Sequence, residues 1–156
     1  MVRDPLGGRR EASVYGRGER YVVTSGRRAG YGPTFRSPPY FVVSRSASDD
    51  ELGAAVAAAV KGFTMMAELP SDDVSAAYAA ELFALVGVAD ERTFERGASL
   101  VQIAEHRDTW TIEPWDRIRG YWVPLNEKSH LKLSAPSARE IGEGVRSAFV
   151  TLRGRS

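Results

Sequence analysis

Ser99-Leu100-Val101-Gln102-Ile103-Ala104-Glu105-His106-Arg107-Asp108-Thr109-Trp110-Thr111-Ile112-Glu113 is the stretch on which the fold turns. Its period is two. Leu100, Gln102 and Ala104 share one face of a strand, and Val101 and Ile103 the other. Thr109 to Glu113 alternates again, with Arg107-Asp108 as the turn between the two runs. Strands joined by so short a turn pair antiparallel. Pro114 is expected to end the second strand, because proline brings no N–H to a ladder. Tyr121-Trp122-Val123-Pro124 reads as a further short strand near an edge.

Before this stretch the period is helical. Ser48-Asp49-Asp50-Glu51 has the form of a capping box, and Leu52, Val56 and Val60 then recur on one face until Gly62. Ser71-Asp72-Asp73 looks like a second N-cap, with its acids in the first turn. Tyr78, Leu82, Leu85 and Val86 supply that helix's apolar stripe, and Gly87 stops it. Glu91–Arg96 adds a short helical turn. Further upstream, Ser13–Tyr15 and Tyr21–Ser25 flank Gly16-Arg17-Gly18-Glu19, a hairpin signal. Gly26 to Pro39 reads as a loop by composition. Tyr40-Phe41-Val42-Val43 is an apolar run of strand length, expected to be buried.

Downstream, Ser137-Ala138-Arg139-Glu140 is another capping box. Ile141, Val145, Phe149 and Leu152 form one apolar face behind it. The tail, Arg153 to Ser156, is expected to fray. The order β-β-β, α-α, β-β-β, α predicts an α+β domain over residues 1–156, a mainly antiparallel sheet packed with about three helices.

Composition limits the chemistry. The 156 residues are 43% hydrophobic and contain no cysteine, which excludes disulfides, thiolate metal sites and cysteine nucleophiles. No apolar run approaches the ~20 residues of a membrane span. Met1-Val2-Arg3-Asp4-Pro5 has no apolar segment behind it, so a cytoplasmic protein is expected, without membrane contact. The net charge of +1 hides an asymmetry. Residues 1–45 hold nine arginines against three acids. Residues 46–91 hold one cation, Lys61, against nine acids. Residues 92–156 hold eleven cations against eight acids. An acidic segment of this kind can attract a basic partner and repel nucleic acid; it also suits helix starts on a solvated surface.

The chemistry-bearing residues form no constellation. His106 and His130 are the only histidines. Asp108 near His106, or Lys132 near His130, could support metal binding or acid–base work on a shared strand face. The preferred readings are plainer, a surface histidine next to a turn for His106 and a polar strand face open to water for His130 and Lys132. No Gly-x-Ser-x-Gly elbow occurs, and Gly26-Arg27-Arg28-Ala29-Gly30-Tyr31-Gly32 lacks the Walker lysine. No metal site or cofactor is expected. The N-terminal arginines interleave with Tyr15, Tyr21, Tyr31, Phe35 and Tyr40, a pattern that could pair with phosphates and stack on bases. Arginine outnumbers lysine eighteen to three along the whole chain, however, so the local arginines carry little information. Trp110, Trp115, Tyr121 and Trp122 read as core, or as an anchor patch for a protein partner.

The layout of the chain and its C-terminal half resemble the CdiI immunity proteins of contact-dependent growth inhibition systems, of the Burkholderia type. The residues that carry the resemblance are Ser99-Leu100-Val101-Gln102-Ile103, Trp110-Thr111-Ile112-Glu113-Pro114-Trp115-Asp116, Gly120-Tyr121 and the closing helix from Ser137. The resemblance implies a cytoplasmic inhibitor without catalysis or cofactor. It would form a 1:1 complex with the C-terminal toxin domain of a matching CdiA protein, commonly a nuclease, and cover its active site. Charge alone then nominates the toxin-binding residues. A nuclease presents a cationic groove, and Asp49, Asp50, Asp72, Asp73, Asp90 and Glu91 would stand together as its acidic counterpart. The competing readings are a small enzyme using His106 or His130, and an arginine-rich nucleic-acid binder.

Overall fold

A computed structural model describes residues 4–154 of the chain. Eight strands form one sheet. Its main path runs β3 (Phe35–Ser44), β2 (Arg20–Ala29), β1 (Arg10–Arg17), β5 (Ser99–His106), β6 (Thr109–Ile118) and β7 (Tyr121–Pro124). All neighbours on that path are antiparallel. Two short strands lie off it. β4 (Thr64–Met66) pairs parallel with the far end of β2, and β8 (Leu131–Ser134) pairs antiparallel with the first half of β6. The helices are α1 (Asp49–Lys61), α2 (Asp72–Val86), α3 (Glu91–Glu95) and α4 (Ala138–Arg153). The expected α+β class is the one found. No helix among the described residues is long and apolar enough to cross a membrane.

Strand alternation divides the core in two. Val14, Val23, Val101, Ile103 and Ile112 face Leu52, Val56 and Val60 of α1 and Ile141, Val145 and Phe149 of α4. Their neighbours Tyr15, Val22 and Leu100 face the other way, onto Leu82 and Val86 of α2 and Phe94 of α3. On the first face, α1 and α4 cross at glycines. A Cβ on Gly53 would lie 1.6 Å from Ala138 O, and one on Gly142 would lie 2.0 Å from Asp49 O. Only hydrogen atoms at these two positions let the backbones approach so closely. On the second face, α3 is pinned by Arg17, whose Nε and Nη2 donate to the carbonyls of Phe94 and Thr93 at 3.0 and 3.1 Å.

Helices α1 and α2 run in opposite senses over the β2–β3 pair. Ser25 Oγ donates to Ala59 O near the end of α1, so α1 starts at the Arg20/Ser44 end of that pair. Arg20 donates to Val86 O at the end of α2, and Arg27 lies over the Tyr78 ring, so α2 starts at the Arg27/Phe35 end. The acidic starts of α1 and α2 therefore lie at opposite ends and on opposite faces of the sheet.

The helix caps follow their sequence signals, except that Glu51 does not close the expected capping box at Ser48. Ser48, Ser71 and Ser137 each accept from the amide three residues on, Glu140 closes the reciprocal bond at Ser137, and Gly87 ends α2 with φ 82°. The Arg107-Asp108 turn is present, with φ of 51° and 63°.

Four expectations need correction. Residues 26–39 are mostly strand, because Ser25, Gly26 and Arg27 pair with Ser37, Arg36 and Phe35; the connection itself is only 30–34. Gly26 serves close packing there, since a Cβ on it would lie 2.6 Å from Thr34 Cγ2. Tyr40–Val43 is not a buried run. β3 is an end strand of the main path, Val43 alone of the four is buried, and Val42 is 36% exposed. Pro114 does not end β6. Residues 109–112 pair outward with β8 and residues 115–118 with β7, so Pro114 falls in the gap between them. Its carbonyl points out of the β5 ladder to accept Leu125 N at 3.1 Å, and its nitrogen, on the same side, has no ladder bond to lose. In the tail, α4 continues to Arg153 with Gly154 as its cap; residues 155 and 156 lie outside the described residues. The charge of Arg3 and the sequence at Met1–Arg3 likewise lie outside them.

Candidate functional site

The six nominated carboxylates occupy three helix starts. Asp49 and Asp50 open α1 beside the first turn of α4, because the Gly53–Gly142 crossing brings the two N-termini together. Two adjacent helix N-termini concentrate partial positive charge, which first-turn acids offset. Asp49 Oδ1 also pairs with Arg146 Nε at 2.7 Å, and Asp50 faces Arg139, whose guanidinium is held above its usual range first by Glu143 and then by Asp50 and Asp49. Asp90 is the N-cap of α3. It accepts Thr93 N at 2.8 Å, and that bond pulls its carboxyl below the usual range. Glu91 pairs with Arg36. Among the described residues no ion pair reaches Asp72 or Asp73, which are exposed at the start of α2. The six do not stand together. Asp49 and Asp50 are on one face of the sheet, and Asp72, Asp73, Asp90 and Glu91 on the other.

That second face carries a cleft of about 700 Å³ between α2, α3 and the open half of the sheet. Cross-strand register builds its floor. Thr24 pairs with Tyr40 and Ser13, Ser13 with Gln102, and Gln102 with Glu113, so one polar row crosses five strands. The adjacent row, Val22, Tyr15, Leu100 and Trp115, is apolar and is roofed by α3. In the polar row, Ser13 and Gln102 are joined by a 2.7 Å bond between Oγ and Oε1, in which the hydroxyl donates. Pro70, Ser75 and Tyr78 form the α2 side of the rim, which places Asp72 and Asp73 beside the mouth. Tyr40 donates from its hydroxyl to Tyr78 O at 2.9 Å. Burial, with Glu81 nearby, pushes its phenol up to about 12. Tyr15 is raised too, by burial foremost, against the opposing pull of Arg36.

The charged groups lining the cleft are mostly paired with each other. Glu11 pairs with Arg9 at 3.2 Å and Arg28 at 3.5 Å, Arg36 with Glu91, and Glu95 with Arg117 at 2.9 Å. Arg36 also lies over the rings of Tyr15 and Phe94, which ties β3 to α3. Glu113 differs. Its contacts are Trp115 Nε1 at 3.4 Å and His130 Nδ1 at 3.7 Å.

The histidines do not assemble an acid–base pair. His106 Nε2 lies 3.0 Å from Gly7 O, and Asp108 has left the strand for the turn, where its amide bonds Glu105 Oε1 at 3.3 Å. His130 precedes β8 instead of sharing a strand face with Lys132, and its Nε2 lies 3.0 Å from Leu125 O. A carbonyl can only accept, so Nε2 carries the proton in both contacts. Among the described residues no group of three or more His, Asp or Glu side chains could hold a metal ion. The sequence reading missed the cleft. The polar Gln102 and Glu113 on their strands' second face were its only local trace; the register that aligns them with Ser13 is tertiary.

No protein-family model matches the sequence, and no curated protein matches it. Solved structures do share its fold. A protein of unknown function from Neisseria meningitidis, NMB0488, superposes with a TM-score of 0.75 at 17% identity, over 92% of this chain and 94% of that one. A chain of the CdiA-CT/CdiI toxin and immunity complex from Yersinia pseudotuberculosis superposes with a TM-score of 0.73 at 21% identity, over 91% and 96%.

Proposed function

We propose that residues 1–156 act as a single CdiI-type immunity domain in the cytoplasm, one that binds and neutralises the toxic C-terminal domain of a matching CdiA protein. The observation that carries this reading is the end-to-end fold likeness to a chain of a CdiA-CT/CdiI complex. The chain needs no catalysis and no cofactor for this task. The resemblance to Burkholderia-type members extends the reading to a toxin that is a nuclease, with its active site covered in a 1:1 complex.

Electrostatics supports a basic partner on the α2 side. Asp72 and Asp73, which no ion pair reaches among the described residues, project beside the mouth of the cleft, with Asp90 and Glu91 at the next helix start on the same face. Carboxylates so placed steer a cationic nuclease surface into contact. Asp49 and Asp50 serve the α1–α4 junction first and are secondary contacts in this reading.

Co-expression tests it. The C-terminal toxin domain of a matching CdiA protein is expected to kill a host alone and to fail when the chain is present, and the two are expected to co-elute at equal stoichiometry by light scattering. Killing that continues at full expression of the folded chain, with no complex, would overturn the proposal.

A further inference from the structure

Arg27 and Glu113 are the two charges of the cleft that, among the described residues, have no carboxylate and no arginine partner respectively; Glu113 has only His130 Nδ1 at 3.7 Å and Trp115 Nε1 at 3.4 Å beside it. Of its arginines, Arg9, Arg28 and Arg36 each have a carboxylate; of its acids, Glu11, Glu91 and Glu95 each have an arginine. Among the described residues no ion pair reaches Arg27, whose guanidinium lies 5.0 Å from the centre of the Tyr78 ring and whose buried Nε has no partner. Among the described residues no arginine pairs with Glu113. The two stand on β2 and β6, three strand spacings apart, which is about 14 Å across the sheet. The cleft is thus an electrical dipole with a cation at the α2 rim and an anion at the tryptophan end.

We infer that the cleft receives a segment of the toxin that presents opposite charges in the opposite order, a carboxylate to Arg27 and an arginine to Glu113. This deepens the proposed function and rests on it. The Glu113 end suits a guanidinium better than an ammonium. Glu113 offers two carboxylate oxygens, and Gln102 Oε1, one lone pair of which is taken by Ser13, offers another acceptor on the neighbouring strand. Trp115 stands two residues from Glu113 on the same face, a flat wall on which a planar cation stacks. The Arg27 end supplies a fork already oriented by Tyr78, suited to a carboxylate. An extended segment advances about 3.3 Å per residue, so its two charged side chains would stand roughly four or five residues apart.

Affinity of the purified chain for the purified toxin domain tests this. Arg27→Gln and Glu113→Gln each remove one charge with little change of shape, and each is expected to weaken Kd tenfold or more with melting unchanged. Replacing one toxin arginine by alanine should give a similar loss, and should add nothing in the presence of Glu113→Gln. If both variants bind within twofold of the native chain, the inference fails while the immunity reading stands. If the native chain neither binds nor protects, the immunity reading itself fails. Should Glu113→Gln melt early, an alanine scan of the toxin's arginines against the native chain decides; no tenfold loss at any of them overturns the inference.

Discussion

Asp49 and Arg146 meet at 2.7 Å across the crossing of α1 and α4. The same guanidinium donates to the carbonyls of Arg45 and Ala47 and lies 5.5 Å from the centre of the Tyr21 ring. Asp49 is therefore committed inside its own fold. Asp49→Asn is expected to cost about 0.5–1 kcal/mol, as for a partly exposed pair. Arg146→Ala should cost about 2–3 kcal/mol, since two carbonyls lose their donor as well. Urea unfolding measures both. Protection from the toxin should survive Asp49→Asn.

The glycine crossing gives a sharper stability prediction. Gly53→Ala or Gly142→Ala drives a methyl into backbone, which cannot move aside without separating α1 from α4. Each should cost about 3 kcal/mol or more. Gly144→Ala meets only the tips of Ile112 and Leu131 side chains, at 2.7 and 2.8 Å, and should cost about 1 kcal/mol. Calorimetry of the three variants would show the ranking; equal losses would contradict it.

Acid should weaken the fold through Glu105. Burial raises its carboxyl, but Arg10 at 3.1 Å and the Asp108 amide outweigh burial and hold it below its ordinary 4.5. A lowered folded pKa means that its contribution is complete above about pH 4.5 and is lost as pH falls below that. Glu105→Gln should be less stable than the native chain at pH 7, and the difference should shrink towards pH 3.

Alkali acts with the opposite sign. Tyr15 and Tyr40 have folded pKa values above the ordinary 10.0, that of Tyr40 at about 12. Their contribution is complete below pH 10 and is lost as pH rises through the folded values. Ultraviolet titration should show late phenols, and Tyr15→Phe and Tyr40→Phe should each remove one of them.

Reversing Asp72 and Asp73 together to lysine should slow association with a cationic toxin about tenfold at low ionic strength, and much less in 0.5 M salt. Stopped-flow rates test this. An unchanged rate would mean that the pair is simply solvated.

The helices were legible because their signals are local: a serine cap, first-turn acids, a stripe and a closing glycine lie within one short window each. The β5–β6 hairpin was legible for the same reason. What lay beyond the sequence was set by distant neighbours. Pro114 stays in its strand because β7 and β8 leave a gap there. Gly26 is strand because Arg36 lies opposite. The charge asymmetry was visible, yet its reading as one acidic dock was not sound, since Arg146 and Arg36 reach Asp49 and Glu91 from far along the chain. The cleft depends on the alignment of Ser13, Gln102 and Glu113, which no single window contains.

The gap at Pro114 has a bearing on solubility. It breaks the last long strand's outer border into two stretches of four paired residues, so another copy finds no continuous run of free amides to extend. The border that remains is that of β7 and β8, four residues each, with the exposed Lys132 on β8, so growth of the sheet from molecule to molecule is discouraged on that side.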